Sequence, residues 1–125
     1  MYSKAKNLLI EFNETNSNSV FSSKKYNKYE KYINNCISGE GMIGENSYLI
    51  LWEKEELEEL NDMYEVNEFL NNCILIGSNG GDNAYGLDIE GNFFEVPFIG
   101  MKLDEIKILG NSFEEFIEKI YIGSN

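Results

Sequence analysis

The stretch ILIGSNGGDNAYGLDIEGNFFEVPF, from Ile74 to Phe98, holds five glycines among apolar residues. A glycine-rich loop between a strand and a helix can bind phosphate through its backbone N–H groups and the helix dipole. The spacing fits neither nucleotide-binding pattern, because no lysine follows the glycines and Gly77, Gly80 and Gly81 do not form G-x-G-x-x-G. Asp82 adds a charge that repels phosphate. The stretch therefore predicts turns and closely packed strands, with no bound cofactor.

The same stretch contains the acids Asp82, Asp88 and Glu90. Paired carboxylates can hydrolyse glycosides or hold a divalent cation, but the spacing here does not follow the calcium-loop pattern. The chain has no histidine, so the commonest general base and metal ligand is missing, and Cys36 or Ser78 has no histidine to activate it as a nucleophile. We predict solvated turn acids, no catalytic or metal-binding residue, and no enzymatic activity.

The two cysteines, Cys36 and Cys73, lie far apart in the sequence and in apolar surroundings. Neither belongs to a Cys-x-x-Cys pair, so the pattern indicates neither a zinc site nor a redox pair. Buried free thiols are favoured over a disulfide.

The composition limits the possible partners. The chain of 125 residues is 42% hydrophobic, which suits one globular domain, and its 22 acidic against 10 basic residues give a net charge of −12. Such a charge disfavours binding to nucleic acid or to an anionic membrane and favours basic proteins.

No apolar run reaches the length of a membrane span, and the N-terminus does not resemble a signal peptide. We expect a cytoplasmic protein.

Three segments carry helical patterns. The first begins after Ser22 or Ser23 and is expected to end at the glycine-rich Ser38–Gly44, which predicts tight turns. The second covers Glu53–Tyr64, with an apolar stripe and five glutamates on the remaining faces. The third follows Ser112, which forms a capping box with Glu115. Their apolar faces comprise Tyr26, Tyr29, Ile33 and Cys36 in the first, Leu57, Leu60 and Tyr64 in the second, and Phe113, Phe116, Ile117 and Ile120 in the third.

Strand patterns fill most of the chain between these helices. The turns at Ser78–Asp82 and Glu90–Asn92 join three consecutive strands into an antiparallel meander, and Pro97 puts the end of the last of them at a sheet edge. The predicted strands are Ser47–Trp52, Cys73–Gly77, Asn83–Ile89, Phe93–Phe98 and Glu105–Leu109. We expect a single α+β domain with a mostly antiparallel twisted sheet and helices packed on one face. Residues 1–20 give no clear pattern, since NLLIEF suits a strand or a helical turn and Asn13–Ser19 suits a loop.

Trp52 ends a predicted buried strand and precedes Glu53, Glu55 and Glu56. Its position favours core packing, and it also allows an anchor in a partner-binding face, because Trp is enriched at binding hot spots. The sequence alone leaves both interpretations open.

Four motifs together resemble the SUKH superfamily, which includes yeast Smi/Knr cell-wall regulators and many bacterial immunity proteins. They are YNKYEKYINNCISGEGMI, YLILWEKEELEELNDMY, ILIGSNGGDNAYGLDIEGNFFEVP and SFEEFIEKIY, and they occur in that order. The family pattern is similar: it begins with a Tyr-bearing helix that ends in a glycine-rich turn, followed by a strand that leads through Leu-Trp into a helix. A glycine turn then precedes a strand that ends in an acidic residue-x-x-Gly, and the pattern finishes with a helix that carries Ser-Phe-x-x-Phe. The similarity covers residues 22–121.

The resemblance implies an α+β domain without enzymatic activity that, in bacteria, binds and neutralises a cognate toxin. The acidic chain agrees with a basic, nuclease-type toxin as its partner, and we expect a monomer or weak homodimer. The alternatives are an intracellular scaffold or regulatory module of the Smi/Knr kind, which gene neighbourhood would distinguish, and a small-molecule enzyme, which a pocket of strongly shifted carboxylates would favour. The predicted partner contacts are Trp52, Glu53, Glu56, Asn79, Asp82, Tyr85 and Asp88.

Overall fold

A seven-stranded antiparallel sheet forms the centre of the protein, with the strands in chain order. The computed structural model describes residues 5–15 and 19–123. Each strand pairs with the next one along the chain, as short connections favour. The strands are β1 (Phe12–Glu14), β2 (Gly39–Ile43), β3 (Ser47–Leu51), β4 (Cys73–Ser78), β5 (Asn83–Asp88), β6 (Phe93–Pro97) and β7 (Lys107–Gly110). The predicted α+β class with an antiparallel sheet is confirmed.

The helices are short except for the last. They are α1 (Glu30–Ile33), α2 (Leu57–Met63), α3 (Val66–Phe69) and α4 (Phe113–Gly123), and 3₁₀ turns occupy Ala5–Leu8, Asn27–Tyr29, Lys54–Glu56 and Leu103–Glu105. The predicted first helix is therefore shorter than its pattern suggested, and the segment after Tyr64, where no helix is predicted, contains α3. Ser112 Oγ accepts from the Glu115 N–H at 3.2 Å, as predicted for the N-cap of α4, whereas Glu115 Oε1 accepts from the Asn111 N–H and not from that of Ser112. The predicted cap by Ser23 is wrong, because its Oγ accepts from the Tyr26 N–H in a turn before the first 3₁₀ residue, and neither Tyr26 nor Tyr29 makes a side-chain capping bond.

Two apolar clusters cover the two faces of the sheet. The larger joins α4 to the face that carries Ile74, Tyr85 and Leu87, whereas the smaller places α3 against Leu75 and Ala84 on the opposite face. The sequence predicts helices on one face; α3 adds a short cover to the other. The reason is β4, whose six residues are all buried, so that both of its faces require covering.

The predicted tight turns at Ser38–Gly44 are wrong for most of that segment, which forms β2. Gly39, with φ 141°, and Gly41 pair with β1, and a Cβ at either position would collide with the carbonyl oxygen of Asn13 or Glu11. These glycines therefore permit close strand approach, while Gly44, with φ 76°, makes the turn.

The predicted loop Asn13–Ser19 is also partly wrong, because Asn13 and Glu14 belong to β1. Three polar residues in a row gave no strand signal, and the pairing depends on β2, which lies far along the chain. Residues 16–18 of that prediction lie outside the described part of the chain.

Asn61 on α2 continues the sheet where β3 stops. β3 pairs with β4 only at Ser78 and Gly77, and the Trp52 N–H donates to the Ile76 carbonyl. Beyond that point the fully buried Asn61 takes over: its Oδ1 accepts from the Leu75 N–H at 2.7 Å, and its Nδ2 donates to the Leu75 carbonyl at 2.9 Å. The side chain thus substitutes for a strand neighbour and attaches α2 to the sheet.

Candidate functional site

The structure connects the predicted contact residues only in part, because the Trp52 N–H donates to Ile76 in the middle of β4, two residues before Ser78 and the turn that follows it. Trp52 and Glu53 follow β3, while Asn79 and Asp82 lie in the turn between β4 and β5. The Phe98 N–H donates to the Asp82 carbonyl at 2.9 Å, which attaches this turn to the end of β6.

Three aromatic rings form what we call the aromatic cluster: Trp52, Tyr64 and Phe98. The rings of Trp52 and Tyr64 are nearly parallel, with centroids 6.1 Å apart and an angle of 11°, and Phe98 lies 5.2 Å from Tyr64. Trp52 also packs against both apolar clusters, which fixes its position. Tyr64 is 37% exposed, and Trp52 and Phe98 are partly exposed. The cluster therefore exposes aromatic surface to solvent while Trp52 is fixed by the core. Trp52 contacts both apolar clusters and is also partly exposed at their edge.

The residues from Glu53 to Glu68, which we call the acidic segment, run beside this cluster. They contain eight acids and one lysine, Lys54. Every one of these acids except the partly buried Glu53 is exposed. The segment comprises a 3₁₀ turn, α2 and the start of α3, so it carries its charges on ordered backbone. Eight of the 22 acids of the chain therefore lie within this one ordered segment.

Exposed apolar side chains accompany the charges. Met63 on α2 is mostly exposed, Phe69 on α3 is half exposed, and Ile99, directly after Phe98, is 92% exposed. Ile99 is next to Phe98 in sequence, and Met63 is next to Tyr64, so each lies one residue from a ring of the aromatic cluster.

Two of the predicted contact residues do not belong to this surface. Tyr85 is 5% exposed and faces the core, where its ring meets Phe116 edge-on at 5.2 Å. Asp88 lies at the other end of β5, about 17 Å away for a six-residue strand. Its Oδ1 accepts from the N–H groups of Glu90 and Asn92, both at 2.9 Å, so its carboxylate holds the β5–β6 turn.

The glycine turn uses its backbone donors internally. The Gly80 N–H donates to Ser78 Oγ at 3.1 Å, and the Gly81 N–H donates to Asn79 Oδ1 at 2.9 Å. Gly77 lies so close to β3 that a Cβ would collide with the Ile50 carbonyl oxygen. Turns and close strand packing are therefore confirmed as the use of these glycines.

A polar network that sequence reasoning missed anchors α2 to the N-terminal part of the chain. Lys25 Nζ and the Tyr26 hydroxyl donate to Asp62 Oδ1 at 2.6 and 2.9 Å, and Ser23 Oγ donates to Glu58 at 2.6 Å. The hydrogen bond from Lys25, followed by that from Tyr26, lowers the pKa of Asp62. Burial, followed by the bond to Asp62, raises the pKa of Tyr26. The network holds the acidic segment in place.

The two cysteines are free thiols, as predicted; Cys73 is buried and Cys36 is half-buried. Burial raises the pKa of Cys73 to about 11 and that of Cys36 to about 12, so both stay protonated at neutral pH. A protonated thiol is a poor nucleophile and a poor metal ligand.

Elsewhere on the surface, a hollow of about 550 Å³ lies between the first 3₁₀ turn, the β2–β3 turn and the end of α4. Its two carboxylates, Glu11 and Glu45, are both exposed. Within residues 5–15 and 19–123, no group of three or more Cys, Asp or Glu side chains is arranged to hold a metal ion.

No model of a known protein family matches the sequence, and a comparison with curated proteins likewise gives no match. The resemblance to the SUKH superfamily therefore stays a prediction drawn from its four motifs. Of the helices in the described chain, none has the length and apolar character needed to cross a membrane.

Proposed function

We propose that this protein is an immunity protein that binds and neutralises a cognate basic toxin, of the nuclease type, through the aromatic cluster and the acidic segment. The observation that carries the proposal is that Tyr64, a partly exposed ring stacked on the core-held Trp52, belongs to the segment Glu53–Glu68, which contains eight acids. The role as an antitoxin, rather than as another binding protein, comes from the resemblance to SUKH immunity proteins.

The aromatic cluster supplies the binding energy in this proposal. Hot spots of protein interfaces are enriched in Trp and Tyr, because these rings bury a large area and lose little conformational freedom. Trp52 is already held by contacts with both apolar clusters, so docking costs little further ordering of its side chain.

The acidic segment supplies steering and complementarity. A nuclease holds nucleic acid on a cationic surface, and an acidic inhibitor can occupy that surface and block it. With a net charge of −12, the protein attracts such a partner and is repelled by the nucleic acid that competes with it. The absence of histidine from the sequence fits a role by binding rather than by catalysis, carried out in the cytoplasm, where the toxin would act.

The test is co-expression and pull-down with the product of the neighbouring gene. We expect protection of cells from that product and an association rate that falls as ionic strength rises. Absence of binding to the neighbour-encoded protein would contradict the proposal, and a salt-independent association rate would contradict its electrostatic part. Binding to a basic cellular protein without protection would favour the scaffold alternative.

A matched pair of charge reversals locates the surface. The variant Glu55→Lys/Glu59→Lys alters the acidic segment, and Glu45→Lys/Glu118→Lys makes the same change of net charge at exposed positions outside it. We expect the first to slow toxin association roughly tenfold or more and the second to have a much smaller effect, since steering depends on local potential. Equal effects would show that only net charge matters.

A further inference from the structure

We propose that the aromatic cluster is a receptor for an arginine side chain of the partner, with the guanidinium lying against the Tyr64 ring and paired with neighbouring carboxylates. This inference rests on the proposed function for the identity of the partner. It specifies which residue of a basic protein the site accepts.

The first argument is that part of the aromatic surface of the cluster is accessible to solvent. Tyr64 is 37% exposed although two other rings contact it. The indole N–H of Trp52 makes no hydrogen bond within the described chain. Every buried side-chain nitrogen of the described residues has a hydrogen-bond partner, so the indole N–H is not buried and is accessible to solvent. The cluster thus offers a ring surface that nothing in the described chain covers.

The second argument concerns the cations of the chain itself. All ten basic residues are lysines and none is arginine. Two of these lysines lie over other rings, Lys25 at 5.6 Å from Tyr26 and Lys31 at 5.0 Å from Tyr32. Among the described residues, none places a cation over the aromatic cluster. Lys54, the nearest lysine in sequence, lines a hollow on the side of Cys36 and Ser38.

The third argument is the position in the chain of acidic residues relative to the rings. Glu53 follows Trp52 and Glu65 follows Tyr64, while Asp82 is joined to Phe98 through the backbone hydrogen bond. Each ring of the cluster therefore has an acid on an adjacent or bonded residue.

Guanidinium fits such a site better than ammonium does. It is planar and weakly hydrated, so it stacks on an aromatic ring while its edge donates two hydrogen bonds to a carboxylate. Lysine presents a strongly hydrated point charge and gains less from the rings. The arrangement therefore selects arginine within a generally basic partner.

The experiment uses Trp52, the only tryptophan of the chain, as a fluorescent reporter. Hexa-arginine amide and hexa-lysine amide are titrated into the full chain at equal ionic strength. We expect hexa-arginine to bind roughly two- to fivefold more tightly, the range of an exposed cation–π contact. Equal affinities for the two peptides would overturn the proposal.

Two variants test the ring itself. Tyr64→Leu removes it, and Tyr121→Leu removes a ring that is also 37% exposed but lies on α4. We expect the arginine preference to vanish in the first variant and to persist in the second. A preference that survives Tyr64→Leu would overturn the proposal.

A third measurement does not depend on any variant folding. Amide shifts of the unaltered, ¹⁵N-labelled chain should change with hexa-arginine at Glu53, Tyr64, Glu65 and Phe98; changes centred elsewhere would overturn the proposal. Because the toxin is absent, the outcome is separable from the proposed function. Toxin binding without arginine preference refutes only the receptor, whereas arginine preference without a toxin refutes only the immunity role.

Discussion

The two faces of the sheet differ in how completely they are closed. On the α4 face, four buried aromatic rings contact one another. They belong to Tyr85, Phe93, Phe113 and Phe116. On the α3 face, the cover is a single turn of helix, and the rings at its margin remain partly exposed. The α4 face is closed by buried rings, whereas the α3 face leaves aromatic surface partly exposed at its margin. The following predictions test this difference.

The largest effect is expected for Phe116→Ala, which removes a fully buried ring from the α4 face. We expect a loss of about 3–5 kcal/mol in the free energy of unfolding, measured with urea. Phe98→Ala, at the margin of the α3 face, should cost about 1–2 kcal/mol because that ring is already partly exposed. Similar losses for both variants would mean that the two faces are equally closed.

The next largest effect is expected for Asn61→Ala, since Asn61 is the link between α2 and β4. The substitution leaves the buried N–H of Leu75 without its acceptor, and we expect a loss of about 2–3 kcal/mol in unfolding free energy. Asn67→Ala, at an exposed position on α3, should stay within about 0.5 kcal/mol. Amide exchange of Leu75 should accelerate only in the first variant.

A gain in stability is expected for Glu65→Gly. Glu65 has φ 56° and ends α2 in a left-handed conformation that glycine adopts without strain, so the substitution should stabilise the fold by roughly 1 kcal/mol. Asn72→Gly, at φ 63°, should gain less because Asn tolerates this conformation. If Glu65 serves binding, Glu65→Gly should also weaken association with a basic partner. A gain in stability with unchanged binding would exclude Glu65 from the site.

The smallest effect concerns pH. The folded chain lowers the pKa of Asp62 below its ordinary value of 3.8, so the ionised form is favoured more in the folded state than in the unfolded one. The resulting stabilisation is present above pH 3.8 and is lost as pH falls through the folded value. Because Asp62 and Lys25 are exposed, Asp62→Asn should cost less than about 1 kcal/mol. Urea titrations of both chains should converge as the solution is acidified below this range.

Local signals explain what the sequence predicted correctly. The strands β4, β5 and β6, their turns and the capped helix α4 each depend on residues that are near one another in the chain. The alternation in β5 also put Tyr85 and Leu87 on one face, which is the core face. That result conflicts with naming Tyr85 as a partner contact, because a side chain that alternates in step with Leu87 points into the same apolar layer.

Long-range pairing explains what the sequence did not predict. Gly39 and Gly41 looked like turn residues because the strand that they approach, β1, lies more than twenty residues earlier. Asn61 lies one helical turn after Leu57, on the side of α2 that is expected to be apolar. A polar residue is needed there because β3 ends before it covers the rest of β4, and the sequence does not show where β3 ends. Asp88 was grouped with Asp82 from sequence proximity, but an extended strand separates them.

The glycines of β2 also have a consequence for solubility. Gly39 and Gly41 bring β1 close enough that β2 is shielded mainly by main-chain contact. If β1 were cut away, β2 would present unpaired N–H and C=O groups with no bulky side chain at these two positions to obstruct another strand. We therefore expect shortened versions that start after residue 15 to self-associate edge to edge. In the intact chain, β1 would then protect the protein against aggregation.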